Sequence, residues 1–133
     1  MRTGSRSQLA AITLSGLALA CGGGTQPVAE CAEPVTVSVT GGTTPTISWT
    51  PGCGVGYLAV RRPLPPSLGV LEMEPQWIIR ADSRLIGPPV RYGIRPRGTV
   101  EVLAPQALTA GRPYDVVVDM TGQGVLGGRA FTP

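Results

Sequence analysis

Past residue 33, apolar and polar residues alternate with period two through most of the chain, the pattern of β-strands that put one face in a core. Val35, Val37 and Val39 alternate with Thr36, Ser38 and Thr40; after "GGTTP", Ile47 and Trp49 alternate with Thr46, Ser48 and Thr50. These predict two strands around a turn centred on Thr43. Val55–Arg61 is apolar on both faces, and "RPLPPSLG" ends it. Gln76–Arg80 and Arg84–Ile86 predict a hairpin around Asp82 and Ser83. Val90, Tyr92 and Ile94 then alternate with Arg91, Gly93 and Arg95, and Val100 and Val102 with Thr99 and Glu101. In "YDVVVDM", Tyr114, Val116, Val118 and Met120 face one way while Asp115 and Asp119 face the other; a last strand spans Leu126–Phe131. Seven or eight short strands joined by Gly/Pro turns predict an all-β fold, an antiparallel β-sandwich or a small barrel.

The first twenty residues follow another rule. Arg2 and Arg6 precede Leu9–Ala20, which holds nine apolar residues in twelve and no charge, the shape of a secretory signal. A membrane span needs about 20 apolar residues, so this stretch is read as cleaved. "LALAC" followed by Gly22 resembles the lipobox of bacterial lipoproteins, in which the cysteine thiol receives a diacylglyceryl group and becomes the mature N-terminus. The resemblance assigns residues 1–20 to a signal peptide and lipidation to Cys21, and Gly22 in place of an acid leans towards the outer membrane. It implies a bacterial cell-envelope protein held on a membrane by an acyl anchor. Residues 21–32, small and without periodicity, read as a flexible tether, and residues 33–133 as one domain.

Cleavage changes the charge. Arg2 and Arg6 leave with the signal, so the formal +3 of the whole chain becomes nine arginines against eight acids. A balance of +1 gives nucleic-acid binding no support. The chain has no histidine, which removes the usual general base and the usual zinc ligand, so neither catalytic residues nor a metal or other cofactor are assigned. Of three cysteines, one is lipidated; Cys31 and Cys53 form an even pair that an oxidising compartment is expected to bridge.

"TPTISWTPGCGVGYLAVRR" resembles the second and third strands of fibronectin type III domains, through Trp49, Pro51 and Tyr57. "LTAGRPYDVVV" resembles the L-x-x-G-x-x-Y corner of the same domains, through Leu108, Gly111 and Tyr114. The resemblance implies an immunoglobulin-like sandwich with Trp49 between the sheets and the Tyr114 hydroxyl bonded to backbone at its corner.

Candidate chemistry is sparse. Glu72 with Glu74, and Asp115 with Asp119, are carboxylate pairs that read as a solvated loop and a solvated strand face. Trp77 reads as core or edge cover, with a sugar-stacking platform as the functional alternative, which would make the chain a carbohydrate-binding module or an accessory subunit of an envelope enzyme. Arg91, Arg95 and Arg97 share the parity opposite Val90, Tyr92 and Ile94, so a regular strand would present them together as a face for an anionic polymer or lipid head group. The function read from these features is a non-catalytic binding or structural module, with the membrane as one partner and an envelope protein or anionic polymer as another.

Overall fold

The computed structural model describes residues 27–66 and 72–133. The signal stretch, Cys21 and the first part of the tether lie outside these residues. The described chain folds into eight strands: β1 (Thr36–Thr40), β2 (Thr46–Thr50), β3 (Tyr57–Pro63), β4 (Met73–Ala81), β5 (Val90–Arg91), β6 (Thr99–Leu103), β7 (Tyr114–Asp119) and β8 (Gly127–Phe131). They form two antiparallel sheets, β1-β2-β5 and β6-β4-β3-β7-β8, packed as a sandwich.

The alternation sets the core. β1 and β2 pair in a register centred on Thr43, with Val37 opposite Trp49 and Val39 opposite Ile47, so their apolar side chains line one face. Leu58 and Val60 of β3, Trp77 and Ile79 of β4, and Val116 and Val118 of β7 meet them from the larger sheet, all buried. Trp49 is buried between the sheets, and its Nε1 donates to the Cys53 carbonyl at 2.8 Å. Tyr114 opens β7 at the expected corner: its hydroxyl accepts the Thr109 N–H at 2.8 Å, above buried Leu108. On one side the sandwich is closed by β1 against β8, where the Val35 N–H donates to the Leu126 carbonyl.

Cys31 and Cys53 form a disulfide with Cα atoms 5.0 Å apart. The β1–β2 hairpin brings the residues flanking it to one end of the pair, as the turn position predicts. The domain begins earlier than residue 33, however. Cys31 is buried, its N–H donates to the Gly54 carbonyl, and the Ala29 carbonyl accepts the Gly54 N–H at 2.6 Å. Ala29–Cys31 therefore belong to the sandwich and not to the tether.

Three strand expectations are corrected. Arg84–Ile86 does not pair with Gln76–Arg80; β4 lies between β3 and β6, and Ile86, fully buried, bridges Val55 instead. The strand from Val90 stops at Arg91, because Gly93 at φ +79° turns the chain and the Ile94 N–H returns to the Arg91 carbonyl; Ile94 is left 59 % exposed. In β6 the parity is inverted: Thr99 is buried, while Val100 and Val102 are exposed. They sit on the outer face of the larger sheet's edge, and the inward Thr99 hydroxyl is satisfied by donating to the Pro96 carbonyl at 2.7 Å.

Two stability outcomes follow from the crossover between the sheets. Reduction of the disulfide, or Cys31→Ala with Cys53→Ala, is expected to cost about 3 kcal/mol in urea unfolding, from the loop-closure entropy restored to the unfolded chain. Gly56 is packed against backbone: a Cβ there would stand 2.0 Å from the Met120 carbonyl oxygen. Gly56→Ala is therefore expected to cost about 1–3 kcal/mol through overpacking, measured in the same unfolding series; an unchanged midpoint would show that the Met120 backbone yields freely.

Candidate functional site

The pairing registers gather several irregular segments at one end of the sandwich. Tyr57 at the start of β3 lies opposite Arg80 near the end of β4 and Asp119 at the end of β7, and Thr99 at the start of β6 lies opposite Ala81. The chain entry at Pro27–Cys31, the turn at Asp82–Arg84, the turn at Pro96–Gly98 and the loop after Asp119 therefore share this end.

Two of these turns are locked together by a single carbonyl. The N–H groups of Asp82, Ser83 and Arg84 all donate to the Gly98 oxygen, at 2.9, 3.1 and 3.1 Å. Gly98 has φ +75°, and a Cβ on it would lie 2.7 Å from the Arg84 Cβ, so glycine is required both for the backbone conformation and for the close approach. The lock sets Arg84 beside the turn that carries Arg97. Together with Leu85, Pro88 and the entering Pro27–Val28, the two arginines line a cavity of about 610 Å³. Among the described residues neither arginine has an ion-pair partner, and no carboxylate lines the cavity.

This arrangement replaces the expected face of Arg91, Arg95 and Arg97. The three do not share one strand: Arg91 ends β5, Arg95 folds back so that its Nη1 donates to the Thr99 carbonyl at 2.9 Å, and Arg97 lies in the turn. Of the three only Arg97 lines the cavity, and its companion there is Arg84, which the alternation alone assigns to a hairpin. The signal that could have found it is "RPRG": a proline and a glycine around Arg97 mark a turn and not a strand.

The other candidates are occupied structurally. Arg61 pairs with Asp115 and Arg62 with Glu74, both pairs partly buried near the surface; surface pairs contribute roughly 0–1 kcal/mol. The Arg62–Glu74 pair also lines a second cavity of about 470 Å³, where Gln76 further satisfies itself on the Glu74 carbonyl and carboxylate. No uncompensated charge is left there. Trp77 is fully buried, meets Tyr92 edge-on at 5.2 Å and donates from Nε1 to Glu101 at 3.1 Å, so it offers no face to a sugar. Burial pushes the Tyr92 hydroxyl up to about 12 against the opposing bond it donates to the Gln106 carbonyl.

Asp119 is the largest departure from the expected solvated face. It is 7 % exposed, and its carboxylate accepts the N–H groups of Gly122 at 2.7 Å and Gly124 at 2.8 Å, shaping the loop into β8. The Gly124 amide above all, opposed by burial and joined by the amides of Met120, Gly122 and Thr121, holds its carboxyl below the ordinary value. Among the described residues no group of three or more His, Cys, Asp or Glu could hold a metal ion. Comparison of the chain with protein-family models, curated proteins and solved structures finds no match.

A depressed carboxylate pKa contributes stability that is present above the unfolded value, near 3.8, and lost as pH falls through the folded one. Asp119→Ala is expected to cost about 1–2 kcal/mol at pH 7, for two charge-assisted bonds. The gap between wild type and variant in urea unfolding should narrow on acidification below about pH 4; a gap independent of pH would show that the carboxylate charge is not what holds the loop.

Proposed function

We propose that this chain is a lipid-anchored protein of the bacterial cell envelope whose β-sandwich is a non-catalytic binding or structural module. The observation that carries the reading is the Cys31–Cys53 disulfide, because a bridge of this kind suits an exported protein and leaves Cys21 as the one unpaired thiol of the sequence. The charged start, the short apolar run and "LALAC" before Gly22 agree with it. The likeness to fibronectin type III domains is supported by buried Trp49 and by the Tyr114 corner bond, two features that resemblance predicts. Domains of such architecture serve many functions, so the assignment to binding rests on the site and not on the fold.

On this reading the membrane is the first partner, through the acyl group on Cys21, with Gly22 favouring the outer membrane. An envelope protein or an anionic envelope polymer is the second. Cys21 stands six residues before Pro27, so an acyl group there keeps the domain close to the surface that carries it.

Metabolic labelling with an alkyne fatty acid, followed by click detection on the immunoprecipitated protein, is expected to tag wild type and leave Cys21→Ser unlabelled. Label retained at equal intensity in the variant would overturn the anchor.

A further inference from the structure

We infer that the cavity between Arg84 and Arg97 binds the phosphate headgroup of an anionic phospholipid in the membrane that carries the protein. The inference rests on the acyl anchor at Cys21 proposed above.

Three features of the cavity carry it. The first is charge. Arg61 and Arg62 each have a carboxylate partner, whereas Arg84 and Arg97 have none among the described residues and face no acid across the cavity. A guanidinium presents a planar fork of donors suited to phosphate oxygens, and two on one cavity can hold one phosphate from two sides. The second is rigidity. Three backbone N–H groups on the Gly98 carbonyl fix the turn bearing Arg84 against the turn bearing Arg97, so the two turns that carry the arginines are set before any ligand arrives. The third is the mixed lining. Leu85, Pro88 and Val28, the last 39 % exposed, give the cavity apolar lining besides its charges, as an amphiphile with a phosphate and a glycerol ester requires. Its volume falls within the range of small-molecule sites.

The position of the cavity selects the lipid over a dissolved anion. Pro27, which lines it, is six residues from Cys21, and six residues reach at most roughly 22 Å when fully extended. An acyl group on Cys21 therefore keeps the cavity within that distance of the membrane surface. Tethering at this range gives a local ligand concentration on the order of millimolar or above, so a site too weak to capture phosphate from solution is filled at the membrane. The contact would set which end of the sandwich faces the surface, leaving the opposite end turned away from it.

Arginine reactivity reads this directly in the acylated protein. The protein purified from membranes is reconstituted into vesicles of phosphatidylcholine alone or with 30 mol% phosphatidylglycerol, on the order of the anionic content of natural leaflets, and treated with phenylglyoxal. Adduct formation at each arginine is followed by mass spectrometry. The expected result is modification of Arg84 and Arg97 slowed at least about fivefold by phosphatidylglycerol and restored by molar salt, with Arg80 and Arg129 unchanged. In Arg84→Gln, protection of Arg97 should fall, since one half of the clamp is gone. Equal rates in both vesicles, slowing of all arginines alike, or the same protection from dissolved inorganic phosphate at matched concentration would each overturn the lipid site. Failure of the anchor itself is seen separately, as protein that does not float with the vesicles. In that case the short-chain dihexanoylphosphatidylglycerol is added to the soluble protein: selective protection of Arg84 and Arg97 supports the cavity without the anchor, and its absence overturns both.

Discussion

At Cys53–Gly56 the chain leaves the three-stranded sheet and enters the five-stranded one, and the hydrogen bonds made on this short stretch hold the remaining segments of that end in place. The Cys53 carbonyl accepts the Trp49 indole N–H. Gly54 is bonded on both sides to the entering chain, through the Ala29 carbonyl and the Cys31 N–H. Val55 and Ile86 exchange both of their backbone bonds, the Gly56 N–H donates to Asp119, and the Gly56 carbonyl accepts from Ala81. Four residues outside any strand thus satisfy their backbone groups on five separate parts of the chain. Buried and unpaired, each such group would cost roughly 1–3 kcal/mol, so the crossover specifies this arrangement more than any single strand does. The disulfide at Cys53 adds a covalent tie at the same point.

The unequal sheets explain how the remaining surface is used. Three strands cannot cover five, and the large aromatic side chains make up part of the difference. Trp77 packs edge-on against Tyr92, which follows the two-residue β5, and Tyr92 closes that side by donating to the Gln106 carbonyl. Tyr114 stacks with Phe131 near the last strand. On the outer face of the larger sheet, Ile78, Ala59 and Val117 lie in register across β4, β3 and β7. Ala59 is fully buried there beneath its neighbours, although it points away from the core. This is why the third strand reads as apolar on both faces: one face is core and the other is a shielded stripe bordered by the Arg61–Asp115 pair.

Where period two coincided with a central, regular strand, the alternation located the structure well. β1, β2 and β7 lie where Val37, Trp49, Val116 and Val118 place them, and the hairpin centre at Thr43 brings the two cysteines together. The reading failed where facing depends on a neighbour and not on the strand itself. β6 is an edge strand hung on β4 with a shift in register between Ile78 and Ile79, and its two valines face outward because that register puts Thr99 inward. No local pattern in "TVEVL" encodes that choice. The arginine stripe failed for a different reason. Alternation does not extend across Gly93, Pro96 and Gly98, three residues that together favour turns, and the two arginines that share a cavity, 84 and 97, lie on turns joined through the Gly98 carbonyl, far outside the reach of a period-two count. The residues read as a signal and as the first part of a tether, 1–26, lie outside the described residues.

The disulfide and the arginine cavity are mechanically connected, because the wall formed by Pro27 and Val28 comes from the entering chain and not from the sandwich proper. Val28 is held against Gly87, where a Cβ would meet its methyl at 3.0 Å, and the next fixed points along the chain are the Ala29 and Cys31 bonds to Gly54 and the bridge to Cys53. Loss of the bridge leaves the wall on backbone bonds near the surface, the kind of contact that opens at the lowest free energy in a folded domain. The Arg84–Arg97 pair itself is secured independently, by the Gly98 carbonyl. Two devices at one end of the molecule therefore divide the work: the glycine lock holds the two arginine-bearing turns together, and the cysteine bridge helps keep the Pro27–Val28 wall beside them.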